Sequence, residues 1–119
     1  NKAGVKILAG TDSGAGNVPY LFQGSSLHDE LDLFVESGLT PMEAIQTATI
    51  NAAECVGRLD SLGTIEEGKI ADLILLNENP LLSIKNTTKI NSIFYNGKYF
   101  DRSKLDKILN NLEKLAEEI

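Results

Sequence analysis

The hydrophobic pattern of the chain changes its period near residues 58–62, and this change constrains the fold more than any other feature. Before it, apolar residues recur at helical spacing, and after it short apolar runs alternate with turn residues. The last segment, residues 103–119, returns to helical spacing with its apolar side chains on one stripe. The sequence therefore predicts an α/β chain in the order of a strand, a loop, helices, a small β-meander and a final helix.

Two stretches before residue 58 carry helix signals. Apolar residues recur at helical spacing over residues 27–35, and Gly38 stands where a helix C-terminus favours positive φ. The run Thr40-Pro41-Met42-Glu43 combines an N-cap threonine, a proline at the first helical position and a glutamate three residues after the cap. This capping box predicts a helix over residues 41–49, and Asn51 can cap a further short helix.

Strand and turn signals follow residue 62. The run Gly63-Thr64-Ile65 predicts a short strand, and residues 71–76 predict a buried one. Residues 90–95 predict a third strand. Asn96-Gly97 is the strongest two-residue hairpin signal, and it joins that strand to residues 98–100.

A short apolar run also lies at the start of the chain. Val5 to Ala9 predicts a buried strand that Gly10 closes, and the Gly- and Ser-rich residues 10–26 predict a long loop. The chain begins with Asn1, and Met42 is its only methionine. We therefore expect a fragment of a longer protein.

Composition and charge exclude several classes of protein. The apolar share of 42% and the charged share of 24% are those of a soluble globular protein. The net charge of −6 is spread along the chain and repels phosphate backbones, so no nucleic-acid partner is expected. No apolar run approaches the ~20 residues that span a bilayer, so no membrane partner is expected either. The single cysteine, Cys55, excludes an internal disulfide and favours a reducing cytoplasm.

Several short motifs occur in a fixed order along the chain. They are Gly10-Thr11-Asp12, Glu30-Leu31, Gly38 to Ile45, Ala48-Thr49, Ala52-Ala53, Gly63 to Leu73, and Tyr95-Asn96-Gly97-Lys98. Together they resemble the C-terminal part of the amidohydrolase superfamily, in its imidazolonepropionase-like and prolidase-like branch. The resemblance implies the last strand and helices of a metal-dependent-hydrolase (β/α)8 barrel over residues 1–58. It further implies strands of a small β-sandwich domain over residues 59–102, followed by a C-terminal amphipathic helix over residues 103–119.

The resemblance makes Asp12 the aspartate at the end of the eighth barrel strand, where it is catalytic and a metal ligand. Catalytic groups sit at that face of such a barrel, and an anionic oxygen suits a divalent cation, expected to be zinc. The metal lowers the pKa of its bound water toward ~7, and Asp12 takes a proton from the water and hands it to the leaving nitrogen. The tripeptide alone leaves open that Asp12 only caps the turn that follows.

The rest of the implied site is absent from the sequence. The resemblance requires a His-x-His pair and further histidines, whereas His28 is the only histidine. We therefore expect that the missing ligands belong to a preceding part of the protein and that this chain alone is inactive and holds no metal stably. Ser13, Gly14 and His28 are expected to border the substrate pocket, although a histidine at a helix start more often makes a local contact.

The implied function is hydrolysis of a C–N bond in a small-molecule amide, a cyclic amide or a dipeptide by metal-activated water. The alternative is a non-catalytic amidohydrolase-like scaffold that acts in interaction or assembly. Without barrel neighbours, the strand Val5–Ala9 would expose an apolar edge. The C-terminal helix either packs on its own domain or forms a dimer contact. A homo-oligomer through the strand or this helix is therefore a further expectation.

Overall fold

The computed structural model describes residues 4–13 and 22–117, the last two by their backbone alone. Helices and strands alternate only in the second half, so the chain is mixed α/β. In chain order the elements are α1 (Ser25–Glu36), α2 (Pro41–Ala48), α3 (Ile50–Cys55), β1 (Leu73–Leu76), a 3₁₀ helix (Ile84–Thr88), β2 (Ile90–Tyr95), β3 (Lys98–Phe100) and α4 (Arg102–Glu117).

The predicted capping box begins α2. The Thr40 hydroxyl accepts from the Glu43 amide at 3.3 Å, and the Glu43 carboxylate accepts from the Thr40 amide at 2.7 Å. This backbone hydrogen bond, with a second one from the Thr40 hydroxyl, lowers the pKa of Glu43 below its ordinary value. The helix therefore begins where its unpaired amides find acceptors.

The short helix α3 follows directly but is not capped as predicted. Its N-cap is Thr49, without a side-chain cap, and Asn51 lies inside the helix. The Asn51 side chain instead donates to the carbonyl of Ile7 at 3.0 Å. The prediction of Asn51 as the cap is wrong because its amide has a distant partner.

A small apolar core joins α1, α2 and the 3₁₀ helix. Leu31, Ala44 and Ile84 are buried, each from a different one of these elements. The partly buried side chains packed against them are Phe34, Val35, Ile45 and Ala48. This core fixes α1 on α2, and both helices carry groups that contact the start of the chain.

The three strands form one antiparallel sheet in the order β1-β2-β3, with a register shift between Leu75 and Leu76. Asn96 (φ 48°) and Gly97 (φ 75°) both have positive φ, as a type I′ hairpin requires. The predicted hairpin is confirmed. Ser92 on β2 is completely buried, and its hydroxyl has no hydrogen-bond partner among the described residues.

Two predictions in the β region are wrong. The run Gly63-Thr64-Ile65 forms no strand. Instead, the Lys69 ammonium donates to the carbonyl of Leu59 and the hydroxyl of Thr64. These two hydrogen bonds hold residues 59–69 in a compact turn within the linker, residues 56–72, that joins α3 to β1. Strand β1 was expected to be buried, but Ile74 is 56% exposed and Leu75 is 44% exposed. Since successive side chains of a strand point to opposite faces, both faces of β1 are open in part.

The predicted strand at residues 5–9 does not form with any described residue. A strand needs a neighbouring strand for its backbone groups, whereas these residues contact helices. Val5 and Leu8 are exposed rather than buried.

Helix α4 forms as predicted, but most of its apolar stripe is uncovered. Among the described residues it contacts only strands β2 and β3 closely. Four apolar side chains on the stripe are 46–58% exposed: Ile108, Leu109, Leu112 and Leu115. The helix therefore packs on its own domain as one of the two expectations had it, but these four side chains are covered only in part. No helix within residues 22–117 has the length and apolar character needed to cross a bilayer.

The linker passes α3 so closely that it tolerates only glycine at residue 63. Gly63 has φ 89°, and a Cβ there would lie 2.7 Å from the Cβ of Ala53 and 3.1 Å from the Cα of Ile50. Glycine meets both requirements, because it adopts positive φ freely and has no side chain.

We expect Gly63→Ala to destabilise the fold by ~1 kcal/mol of backbone strain plus ~2 kcal/mol of overlap with α3. Gly68→Ala is the matched control, since Gly68 also has positive φ but open space around its Cβ. Urea unfolding of the two variants measures the difference. Equal losses would mean that the contact with α3 adds nothing.

We expect Glu43→Gln to reduce the pH dependence of stability in the acid range. Because folding lowers the pKa of Glu43, its contribution is complete above the ordinary glutamate pKa and is lost as the pH falls through the lowered value. Thermal unfolding should therefore separate wild type and variant at neutral pH and bring them together in acid. Glu67→Gln, at an exposed turn residue, is the control and should follow wild type at every pH.

Candidate active site

Asp12 lies in a tight turn at the end of the first described segment. Its backbone φ of 55° is in the left-handed region, which aspartate tolerates better than most residues. The Thr11 hydroxyl accepts from the Ser13 amide at 3.3 Å and lies 2.8 Å from the Ser13 hydroxyl. The turn is thus closed by its neighbours, and the Asp12 side chain is left exposed.

Glu30 on α1 contacts the backbone just before this turn. The Gly10 amide lies 2.9 Å from its Oε1 and 3.1 Å from its Oε2, and it donates to the carboxylate. A hydrogen bond to an ionised carboxylate is stronger than one between neutral groups. Helix α1 and the Asp12 turn are therefore joined directly.

The residues before the turn are held by the other two helices. The Ala9 amide donates to the carbonyl of Thr47 on α2 at 3.2 Å. On α3, Asn51 binds the carbonyl of Ile7, and Glu54 forms an ion pair with Lys6. Each of the first three helices thus contributes at least one contact to the segment that carries Asp12.

His28 makes a contact on α1 away from this turn. Its Nδ1 lies 3.0 Å from the hydroxyl of Thr87 on the 3₁₀ helix, and that hydroxyl donates to the carbonyl of Ile84 at 2.8 Å. Since a threonine hydroxyl has one proton, we assign Nδ1 of His28 as the donor, which leaves Nε2 unprotonated in the neutral ring. The half-buried histidine links α1 to the 3₁₀ helix.

The residues predicted to form the site are therefore brought together only in part. Asp12 and Ser13 share one turn, Gly14 lies outside the described residues, and His28 has its own partner on the 3₁₀ helix. Sequence reasoning gave no role to Glu30. A signal was present, because Glu30 is a charged residue at an inward position of the apolar stripe of α1.

The described residues do not form a metal site by themselves. Over residues 4–13 and 22–117 no group of three or more histidine, cysteine, aspartate or glutamate side chains could hold an ion. Asp12 offers one carboxylate, Glu30 is bonded to Gly10, and His28 is bonded to Thr87. One carboxylate is fewer than the ligands of any structural or catalytic zinc site.

The Amidohydrolase family matches residues 1–101 of the chain. The chain belongs to this family. The prediction of an amidohydrolase of the imidazolonepropionase-like and prolidase-like branch is confirmed by the relatives described next. Helix α4 lies entirely beyond the matched residues.

Three similar proteins come from that family. Ochratoxinase of Aspergillus niger is 46% identical over 86 residues, which are 71% of this chain and 16% of that protein. Imidazolonepropionase of Geobacillus kaustophilus is 41% identical over 76 residues, 63% of this chain and 17% of that protein. The crystal structure of a Xaa-Pro dipeptidase with methionine in its active site is 35% identical, with a TM-score of 0.60, and covers 62% of this chain and 18% of that chain.

The chain therefore spans about a sixth of the length of the curated relatives it matches. Family membership is shown for residues 1–101 of this chain, which contain the Gly-Thr-Asp turn and the sheet.

Proposed function

We propose that the protein containing this chain hydrolyses a C–N bond of a small-molecule amide, a cyclic amide or a dipeptide. Membership of the amidohydrolase family supports this proposal, as do relatives named ochratoxinase, imidazolonepropionase and Xaa-Pro dipeptidase. The single observation that carries it is the placement of Asp12. Its carboxylate is exposed on a turn held by Thr11, Ser13 and Glu30.

In this proposal Asp12 is both a metal ligand and the group that moves a proton. Its carboxylate removes a proton from the attacking water as oxygen bonds to the carbonyl carbon. It returns that proton to the leaving nitrogen as the C–N bond breaks, so it ends the cycle ionised. A divalent cation, zinc by our proposal, supplies an activated water at neutral pH.

The remaining metal ligands belong to parts of the protein outside this chain, because the described residues contribute one. The chain alone is then inactive. We further propose that residues 1–58 complete the barrel, that residues 59–102 belong to the small β-sandwich domain, and that the protein works in the cytoplasm, where Cys55 stays reduced.

We further propose that Ser13, Gly14 and His28 border the substrate pocket beside Asp12. Ser13 shares the turn with Asp12, and its hydroxyl is bonded to Thr11. His28 contacts the hydroxyl of Thr87 through its Nδ1. Contacts of Ser13, Gly14 and His28 with substrate stay a prediction.

We expect Asp12→Asn in the full-length protein to lower kcat by at least ~10³-fold, because the amide can neither accept the proton nor provide an anionic ligand. Asparagine also tolerates positive φ, so the turn keeps its shape. Hydrolysis of a panel of Xaa-Pro dipeptides and cyclic amides, together with metal content, measures the effect.

Asp60→Asn is the matched control, since Asp60 is an exposed carboxylate in the linker. It should keep wild-type activity and metal content. A metal-free wild type that turns over nothing in the panel, or activity indifferent to Asp12, would instead favour the non-catalytic scaffold and leave Asp12 as a turn residue.

We also propose that the chain, taken alone, forms homo-oligomers through its uncovered apolar surfaces. Val5 is 66% exposed on the first segment, and Leu109 and Leu112 are 52% and 58% exposed on α4. Burial of such side chains is worth ~1.5–3 kcal/mol each, which favours association.

Sedimentation of the 119-residue chain should therefore show dimers or larger species at micromolar concentration. A Leu109→Glu/Leu112→Glu variant should shift the distribution toward monomer, since charges then face each other across any α4 contact. A Leu82→Glu variant is the control, because Leu82 is 84% exposed but belongs neither to the first segment nor to α4. A strictly monomeric wild-type chain would contradict the proposal.

A further inference from the structure

The Glu30 carboxylate contacts the chain two residues before Asp12, and nothing in the proposed reaction uses it. Both of its oxygens lie within 3.1 Å of the Gly10 amide. We propose that Glu30 is a positioning residue that sets the direction of the Asp12 side chain, an inference that rests on the proposed function of Asp12.

Glu30 extends from a part of α1 that is fixed by the apolar core. Leu31, the residue after Glu30, is 5% exposed in the core with Ala44 and Ile84. Glu30 itself is half-buried. A side chain that extends from such a position loses little freedom when it binds, so its hydrogen bond holds the turn at a fixed distance from α1.

The backbone conformation of Asp12 needs contacts that hold it. Asp12 has φ 55°, a region that costs a non-glycine residue on the order of 1 kcal/mol and that persists only where its surroundings fix it. The Thr11 and Ser13 contacts close the turn locally but do not tie it to the rest of the fold. The hydrogen bond from the Gly10 amide to Glu30 connects the turn to α1, and the one from the Ala9 amide to Thr47 connects it to α2.

The direction of the Glu30 carboxylate fits a positioning residue rather than a metal ligand. A carboxylate that binds a metal directs its oxygen lone pairs at the ion, whereas both oxygens of Glu30 are turned to Gly10. Loss of the Glu30 carboxylate should therefore leave the metal content unchanged while it disturbs the proton transfer by Asp12.

The test uses the full-length protein and the panel substrate that the wild type hydrolyses fastest. Glu30→Met removes the acceptor but keeps the length of the side chain and its helix propensity. Glu30→Gln keeps one acceptor oxygen. Glu36→Met is the control, since Glu36 is an exposed glutamate in the last turn of the same helix.

We expect Glu30→Met to lower kcat by ~10- to 100-fold with KM changed less than threefold, because a small displacement of a catalytic group costs that much. The metal content should stay at the wild-type value, and hydrogen exchange of the Gly10 amide should become faster. Glu30→Gln should recover most of kcat and slow the exchange again, and Glu36→Met should behave as wild type.

Wild-type kcat in Glu30→Met, or equal losses in Glu30→Met and Glu30→Gln, would overturn the positioning role. Loss of metal in Glu30→Met would overturn it too and make Glu30 a ligand. Where Glu30→Met does not fold, Glu30→Asp carries the test, because its side chain keeps the charge but is one methylene shorter and loses its reach to the Gly10 amide. Wild-type kcat and wild-type exchange of the Gly10 amide in Glu30→Asp would likewise overturn the positioning role.

Asp12→Asn, measured in parallel, separates this inference from the proposed function. If Asp12→Asn abolishes activity and Glu30→Met does not, only the positioning role fails. If Asp12→Asn is as active as wild type, the function proposed for Asp12 fails first, and the exchange of the Gly10 amide still reports whether Glu30 holds the turn.

Discussion

The placement of residues 4–13 depends on hydrogen bonds to helices rather than on a sheet. A chain segment without a strand partner must satisfy its amides and carbonyls in some other way, because unpaired polar backbone is costly wherever water is excluded. Here Glu30, Thr47 and Asn51 provide the partners, one from each of the first three helices. The position of the Asp12 turn follows from these contacts.

The helices themselves were predictable because their signals are local. The capping box at Thr40 and Glu43 forms with both reciprocal hydrogen bonds, and the Asn96-Gly97 turn has the two positive φ angles that its residue types allow. Such motifs specify structure over four or five residues and need nothing from elsewhere in the chain. Sequence reasoning therefore located the helices α1 to α4 and the hairpin, whereas the strands predicted at residues 5–9 and 63–65 do not form among the described residues.

Burial and long-range partners were not predictable in the same way. Asn51 has the residue type of a helix cap, and only the fold shows that its side chain reaches Ile7 instead. Likewise Ile74 and Val5 have the apolar character of buried strand residues, yet they are 56% and 66% exposed. Apolar character predicts that a side chain will be covered, but it does not say which part of a protein covers it. For the proposed site, Asp12 was a candidate from its motif, whereas the contact of Glu30 with Gly10 required the structure.

The absence of a side chain at Gly63 has a mechanical consequence. The linker backbone rests directly on Ile50 and Ala53 of α3, with no flexible side chain between them to absorb a displacement. On the same helix, Asn51 donates a hydrogen bond to the carbonyl of Ile7, in the segment that leads to Asp12. A movement of the linker toward α3 is therefore passed through that helix to the segment that carries Asp12.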